Sequence, residues 1–386
     1  MSKLRVALAI LLVVTILLLP PTTGYDSYVD ILRHTSMTLK GQAPYADVAQ
    51  DIYGFRALMT NQDPYARLKP ALKTIGVEWK ADFSSTHPPT AFLLVAPVAF
   101  LPWPISSMAW AWLMLIALCV SLRFACGYTW DWALLVTAMV LFWPPIATSF
   151  DQITIVWLFG LAMAYHYRNE RPLLSGVFIG IASFTKLLPA VLLLPFLLRR
   201  NVSAAKGFGL SWLAALGILL LLSPKALIRY LIGNRLNAAE IIQRWDNGSF
   251  LFFLSRRIGL AGLFITVIVI VMLLVLAYRK YRQESARELS TQEWNIYAFL
   301  TVLFLPITWI FSITPLLPNI LLLLQDKRWI VRVLAICALI PPILVPPWGT
   351  QSTVGLFGFF LLAGTAFVLA QSELTWSQQL ANAASE

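Results

Sequence analysis

Apolar runs too long and too frequent for a soluble core decide what this chain can fold into. After a first stretch, Leu4 to Pro20 (LRVALAILLVVTILLLP), they recur at 105–122, 132–148, 152–167, 172–198, 207–223, 259–278, 293–308, 312–325, 330–347 and 353–371. About 20 apolar residues in a helix cross a hydrocarbon core of ~30 Å. Of the 386 residues, 59% are hydrophobic and only 12% charged, with a mean hydropathy of +0.74. Soluble domains carry roughly a quarter of their residues as charges. The fold class read from this is all-α, a polytopic membrane protein.

Two segments set the topology. The run at 172–198 begins after Arg168 and Arg171 and ends at Arg199, Arg200 and Lys206, so both flanks read as cytoplasmic. Its 27 residues reach only ~40 Å as one helix, less than two full crossings. The stretch FTKLLPAV resolves this as two short helices that meet at Lys186 and Pro189, on the outer side. The segment HPPTAFLLVAPVAFL (87–101) is short and broken by Pro97, and is read as lying on or dipping into the outer leaflet. This predicts twelve spans with both termini inside. No A-x-A-like cleavage site follows Leu4–Pro20, so that stretch reads as an uncleaved signal anchor.

The charges agree with this topology. Fifteen of the 29 Lys and Arg residues fall in cytoplasmic connections, and 13 of the others lie in two long outer loops, 21–104 and 224–258, where the orientation rule is weak. Lys186 is then the one basic residue in a short outer turn. Loops this long in a compact membrane protein are usually functional. The expected organisation is a module over 1–258 that carries both loops, followed by C-terminal transmembrane helices over 259–386. The net charge of +11 is spread without a dense basic run, which points to orientation and phosphate-bearing partners, not nucleic acid. Cys119, Cys126 and Cys337 imply no disulfide framework.

The chain has no Walker motif, no GxGxxG after a strand, no HExxH and no CxxC, and His34, His87 and His166 are too scattered to argue a metal site. No cofactor is expected. Outward carboxylates and cations remain. Asp26 and Asp30 follow the first apolar stretch four residues apart, and would share a helix face. Either is a surface aspartate or, in a low-dielectric cleft, a general base, because burial raises a carboxylate's proton affinity. Lys186 in an apolar hairpin would cost roughly 2.5–3.5 kcal/mol at the bilayer centre. It either snorkels to headgroups or meets an anionic lipid phosphate. Asp151, in SFDQIT (149–154), is close enough along the fold to pair with it.

These elements, in order, resemble a family. Asp26 precedes GQAPY (41–45), followed by HPPTAFLLVAPVAFLP (87–102) and by Asp151–Gln152 at the turn where the family has Gly–Gln. Then come the small-residue helix and K-x-x-P of GVFIGIASFTKLLPAVLLLPFLLRR, NGSFLFFLSR (247–256), and Pro306 with Trp309 as P-x-x-W. From about residue 20 to 325 the chain resembles the GT-C glycosyltransferases, and within them glycosyltransferase family 87, the polyprenol-phosphate-mannose-dependent α-mannosyltransferases. The resemblance implies a multi-pass plasma-membrane enzyme with its active site extracytoplasmic. It would move a hexosyl group, mannosyl in this family, from a polyprenyl-phosphate sugar donor to a lipid or glycan acceptor, with inversion. By position in the motif Asp26 is the implied catalytic base. Lys186, Arg256, Arg257 and Arg244 are the implied phosphate-binding cations, and Asp151, Gln152, His87, Asn247 and Asp30 the implied substrate contacts. Two other classes fit charges in a membrane cavity: a lipid or glycan flippase, which should show paired half-repeats, and a non-catalytic relative, in which Asp26 is dispensable.

Overall fold

The computed structural model describes residues 35, 37–40, 47–77, 84–150, 152–232, 249–283, 288–305, 308–344 and 350–383. Among them the chain is helical throughout, with a single isolated bridge, Arg67 to Ser84, in place of any strand. Three helices are long and apolar enough to cross a membrane: Trp103–Ala125, Val202–Leu222 and the Thr353–Gln371 part of the C-terminal helix. Shorter apolar helices surround them, as in an integral membrane protein; the twelve-span count is finer than these helices establish.

Proline explains why several apolar runs give shorter helices than their lengths predict. The run 132–148 is helical over Trp130–Val140, and a separate short turn, Pro144–Ala147, follows. The run 330–347 is helical over Trp329–Leu339, and the chain re-enters a helix at Pro341–Leu344. A proline ring removes a backbone donor and crowds the preceding turn, so the helix stops ahead of it.

The described part of the first long loop is largely helical. Helix α1 (Val48–Met59) is buried at nearly every position. It ends where Asn61 takes a left-handed φ of 54° and Gln62 N–H closes on the Ala57 carbonyl at 2.8 Å. Helix α2 (Pro89–Leu94) starts at the HPP element, with Pro88 extended (φ −65°, ψ 153°) and proline in its first turn, where no intrahelical donor is lost. It breaks at Val95 before a single turn, Ala96–Ala99. This matches the expected helix interrupted near Pro97. Helices α1 and α2 touch at Gly54, where an added Cβ would stand 2.7 Å from the Phe92 ring. Arg56 donates through Nε to the Ala99 carbonyl at 2.7 Å, and a terminal nitrogen donates to the Leu101 carbonyl, so this cation closes a helix end.

The apolar body is built by α3 (Trp103–Ala125), α4 (Thr154–Tyr167), α5 (Pro172–Ser183) and α6 (Val202–Leu222). Helices α5 and α6 meet backbone to backbone. A Cβ at Gly176 would lie 1.9 Å from the Ala204 carbonyl oxygen, and one at Gly207 1.9 Å from that of Leu173. In lipid, where burial of apolar surface drives little association, such small-residue contacts carry helix packing. Helix α5 ends at Ser183, and the chain continues through Lys186 into a 3-10 turn, Leu188–Leu193, and a short helix, Leu194–Leu198. The predicted break at Lys186 is present. Beyond it lie α7 (Phe250–Ile258), α8 (Leu260–Gln283), α9 (Thr291–Leu303) and α10 (Thr350–Ala383).

Candidate active site

The polar cluster begins at the head of α1. Asp47 directly precedes the helix and Asp51 lies in its first turn, so the two carboxylates stand one turn apart on one face, near the positive end of the helix dipole. His87 comes from the segment ahead of α2. The two prolines behind it fix its backbone, and Tyr65 Oη donates to its carbonyl at 3.1 Å. The His87 Nδ1 to Asp51 Oδ1 distance is 2.7 Å, with the His87 side chain 24% exposed and that of Asp51 1%. Nδ1 is thus engaged by the carboxylate, and Nε2 is the ring nitrogen that remains. The second Asp51 oxygen, Oδ2, is buried without a hydrogen-bond partner.

Gln152 closes the other side. Its Nε2 donates to Asp47 Oδ2 at 2.9 Å, and its backbone carbonyl accepts from Trp110 Nε1 at 3.1 Å, which ties the turn before α4 to α3. Gln152 therefore holds a carboxylate in place. Lys186 comes from the break after α5. Its Nζ lies 5.8 Å from the centroid of the Trp157 ring, a cation–π arrangement, and no carboxylate among the described residues pairs with it. The Trp157 indole N–H is buried without a partner. Thr90 Oγ1 donates to the Phe184 carbonyl at 2.9 Å, so α2 and the lysine-bearing break are fastened together.

The charges in the cluster act on one another. Burial pushes Asp47 up to about 6; the Asp51 carboxylate adds to this, while His87 and the Gln152 hydrogen bond pull it down. Burial opposes the imidazolium of His87, but the charge and hydrogen bond of Asp51, with help from Asp47, outweigh both burial and the nearby Lys186. His87 is held above its ordinary value.

Two of the residues expected at a site, His87 and Gln152, thus bond to two carboxylates that the sequence reading does not single out, and a third, Lys186, is near enough to act on the His87 charge. Asp47 and Asp51 show in the sequence the same four-residue spacing that drew attention to Asp26 and Asp30. Arg256 and Arg257 are exposed on α7, with the Arg257 guanidinium 5.7 Å from the Phe253 ring centroid. Asp26, Asp30, Asp151, Arg244 and Asn247 lie outside the described residues, as does the ion pair expected between Asp151 and Lys186. Among the described residues no group of His, Cys, Asp and Glu could hold a metal ion.

Comparison with known proteins gives this cluster a context. Over 208 residues, 45% of this chain and 46% of the relative, the chain is 30% identical to a polyprenol-phosphate-mannose-dependent alpha-(1-2)-phosphatidylinositol mannoside mannosyltransferase of Mycolicibacterium smegmatis. The protein of the same description from Mycobacterium tuberculosis is 30% identical over 196 residues, 45% of this chain and 44% of that one. The matches thus span about half the length of these curated relatives. The crystal structure of apo ArnT from Cupriavidus metallidurans aligns over 88% of this chain and 76% of its own, at 13% identity and a TM-score of 0.36, a likeness too low to carry an argument. The model of glycosyltransferase family 87 matches residues 86–306, a stretch that includes His87, Gln152 and Lys186 and begins after Asp26. With more than half of its length matched, the chain belongs to glycosyltransferase family 87.

Proposed function

We propose that this protein transfers a mannosyl group from a polyprenyl-phosphate donor to an acceptor hydroxyl on the extracytoplasmic face, with inversion at the anomeric carbon. The observation that carries the reading is that His87 and Gln152, both within the family match, bond to Asp51 and Asp47 at the head of α1, with Lys186, also within it, near His87. A donor already linked to lipid also accounts for a site built without any nucleotide-binding motif.

In this reading the donor enters from the leaflet that borders α2. Its phosphate meets Lys186, with Arg256, Arg257 and Arg244 as further cations where negative charge develops on the leaving group. Asp26 removes the acceptor proton, the acceptor oxygen attacks the anomeric carbon opposite the phosphate, and polyprenyl phosphate leaves. Asp151, Gln152, Asn247 and Asp30 border the sugar or acceptor, and Gln152 does so through the carboxylate it holds. The acceptor is a lipid or glycan hydroxyl.

The test offers purified protein polyprenyl-phosphate-linked mannose, glucose or arabinose with lipid and glycan acceptors. Mannose should be transferred in preference to the others. Asp26→Asn should lower turnover by about 10²–10⁴-fold, the range of general-base catalysis. A folded Asp26→Asn protein with parental turnover would remove Asp26 as the base.

A further inference from the structure

We propose that His87 Nε2 is the hydrogen-bond donor that meets the donor phosphate beside Lys186, and that Asp51 is the positioning residue that aims it. The proposal rests on the transfer reading above and adds a role that neither the motif nor the family match assigns to Asp51.

Three observations lead there. Asp51 takes up Nδ1 of the imidazole at 2.7 Å, which fixes the ring plane and leaves only Nε2 to act. Asp51 is buried with Oδ2 unpartnered, an arrangement that costs roughly 1–3 kcal/mol and is hard to explain by stability alone. The Thr90 to Phe184 hydrogen bond then holds the His87 segment against the break that carries Lys186, near enough for the lysine charge to act on the imidazole. An imidazolium N–H and an ammonium side by side suit a phosphate diester: a charge-assisted hydrogen bond is about twice as strong as a neutral one.

The step balances without a proton from His87. The acceptor oxygen forms its bond to the anomeric carbon and gives its proton to Asp26. The breaking bond leaves its electron pair on the phosphate oxygen, so polyprenyl phosphate gains one negative charge. The Nε2–H hydrogen bond strengthens as that charge grows. The groups facing His87 are Asp47 and Asp51 from α1, Lys186 from the break after α5, and Tyr65 from the segment after α1.

The test measures binding of a short-chain prenyl methyl phosphate, a diester whose charge is constant from pH 5 to 9, to the full chain in nanodiscs. The parent should bind about tenfold more tightly at the acid end, the effect of one linked proton shifted by one unit. His87→Gln should bind with a much shallower pH dependence, the remainder belonging to Asp47, and adding Asp47→Asn should flatten it. Asp51→Asn should move the midpoint to lower pH, and Asp51→Glu should restore part of it. Lys186→Met should weaken binding at every pH and keep the slope. A parental slope in His87→Gln, or a parental midpoint in Asp51→Asn, would overturn the proposal. Unfolding is followed in parallel, and His87→Gln alone decides if Asp51→Asn does not fold. Mannosyl transfer is assayed on the same parent sample. Pure loss of transfer with His87-dependent binding intact removes the sugar reading only, whereas transfer with His87-independent binding removes only this inference.

Discussion

Asp51 and Glu293 are both fully buried carboxylates joined to basic side chains distant in sequence, yet they differ in what is left over. Glu293 takes Arg199 with both oxygens, at 2.8 Å on Oε1 and 2.5 Å on Oε2, and its own N–H is capped by Ser290 Oγ at 3.2 Å. Arg199 also donates to the Pro195 and Glu288 carbonyls, each at 3.3 Å. The carboxylate there is closed, both oxygens being taken by one guanidinium, and the pair joins the end of the lysine-bearing hairpin to the start of α9. The Asp51 carboxylate stays open, with Oδ2 buried and unpartnered and Oδ1 on His87, near a lysine that no carboxylate among the described residues neutralises. A carboxylate with both oxygens taken holds segments together, while one with a free oxygen keeps bonding capacity.

The contrast breaks most sharply by removing one charge from each. Glu293→Gln should destabilise the protein by about 3–5 kcal/mol, the cost of stranding a buried guanidinium, while turnover per folded molecule stays parental. Thermal unfolding in detergent, read beside activity, checks both halves. Lys186→Met should do the reverse, lowering transfer by about 10²–10³-fold with the unfolding midpoint close to parental. If Lys186→Met unfolds the protein and Glu293→Gln spares it, the open and closed assignments are exchanged.

Arg199→Lys sharpens the comparison at smaller scale. It keeps the charge and loses the fork, so it should cost about 1.5–3 kcal/mol, within the range of a charged hydrogen bond. The smallest effect is a slope. His87, held above its ordinary value, stabilises fully below the unfolded value of about 6.5 and loses that contribution as pH rises through its folded one. Asp47, pushed to about 6, also binds its proton more tightly when folded, so its contribution is lost as pH climbs from its ordinary range toward 6. Both slopes have one sign. The unfolding midpoint should fall as pH rises from 5 to 8, less steeply in Asp47→Asn and in His87→Gln; a rising midpoint would contradict both shifts.

Much of this could be read before any coordinates. Hydropathy gives the helical membrane class, Lys186 with Pro189 gives the break after α5, and Pro97 the interruption after α2. These are local effects of one residue on its own backbone. The partners of His87 and Gln152 were harder to see, because Asp51 and Asp47 approach through packing of α1 on α2 and on the turn before α4, with nothing local to announce it. Their four-residue spacing is also that of Asp26 and Asp30, and spacing alone does not say which pair packs against His87 and Gln152. The Arg199–Glu293 pair was less legible still: each residue reads as an ordinary charge beside a loop, and only the fold brings them across 94 positions.

The hydroxyl of Thr90 and the carbonyl of Phe184 carry a mechanical consequence. Helix α2, buried over its first four residues, and the break after α5 are hooked together by that bond. A displacement of the first, by an entering lipid tail for instance, would be felt at the backbone that carries the ammonium. Swapping Thr90 for valine would uncouple the hook while sparing every charged group, and so ask whether admission and charge placement are a single event.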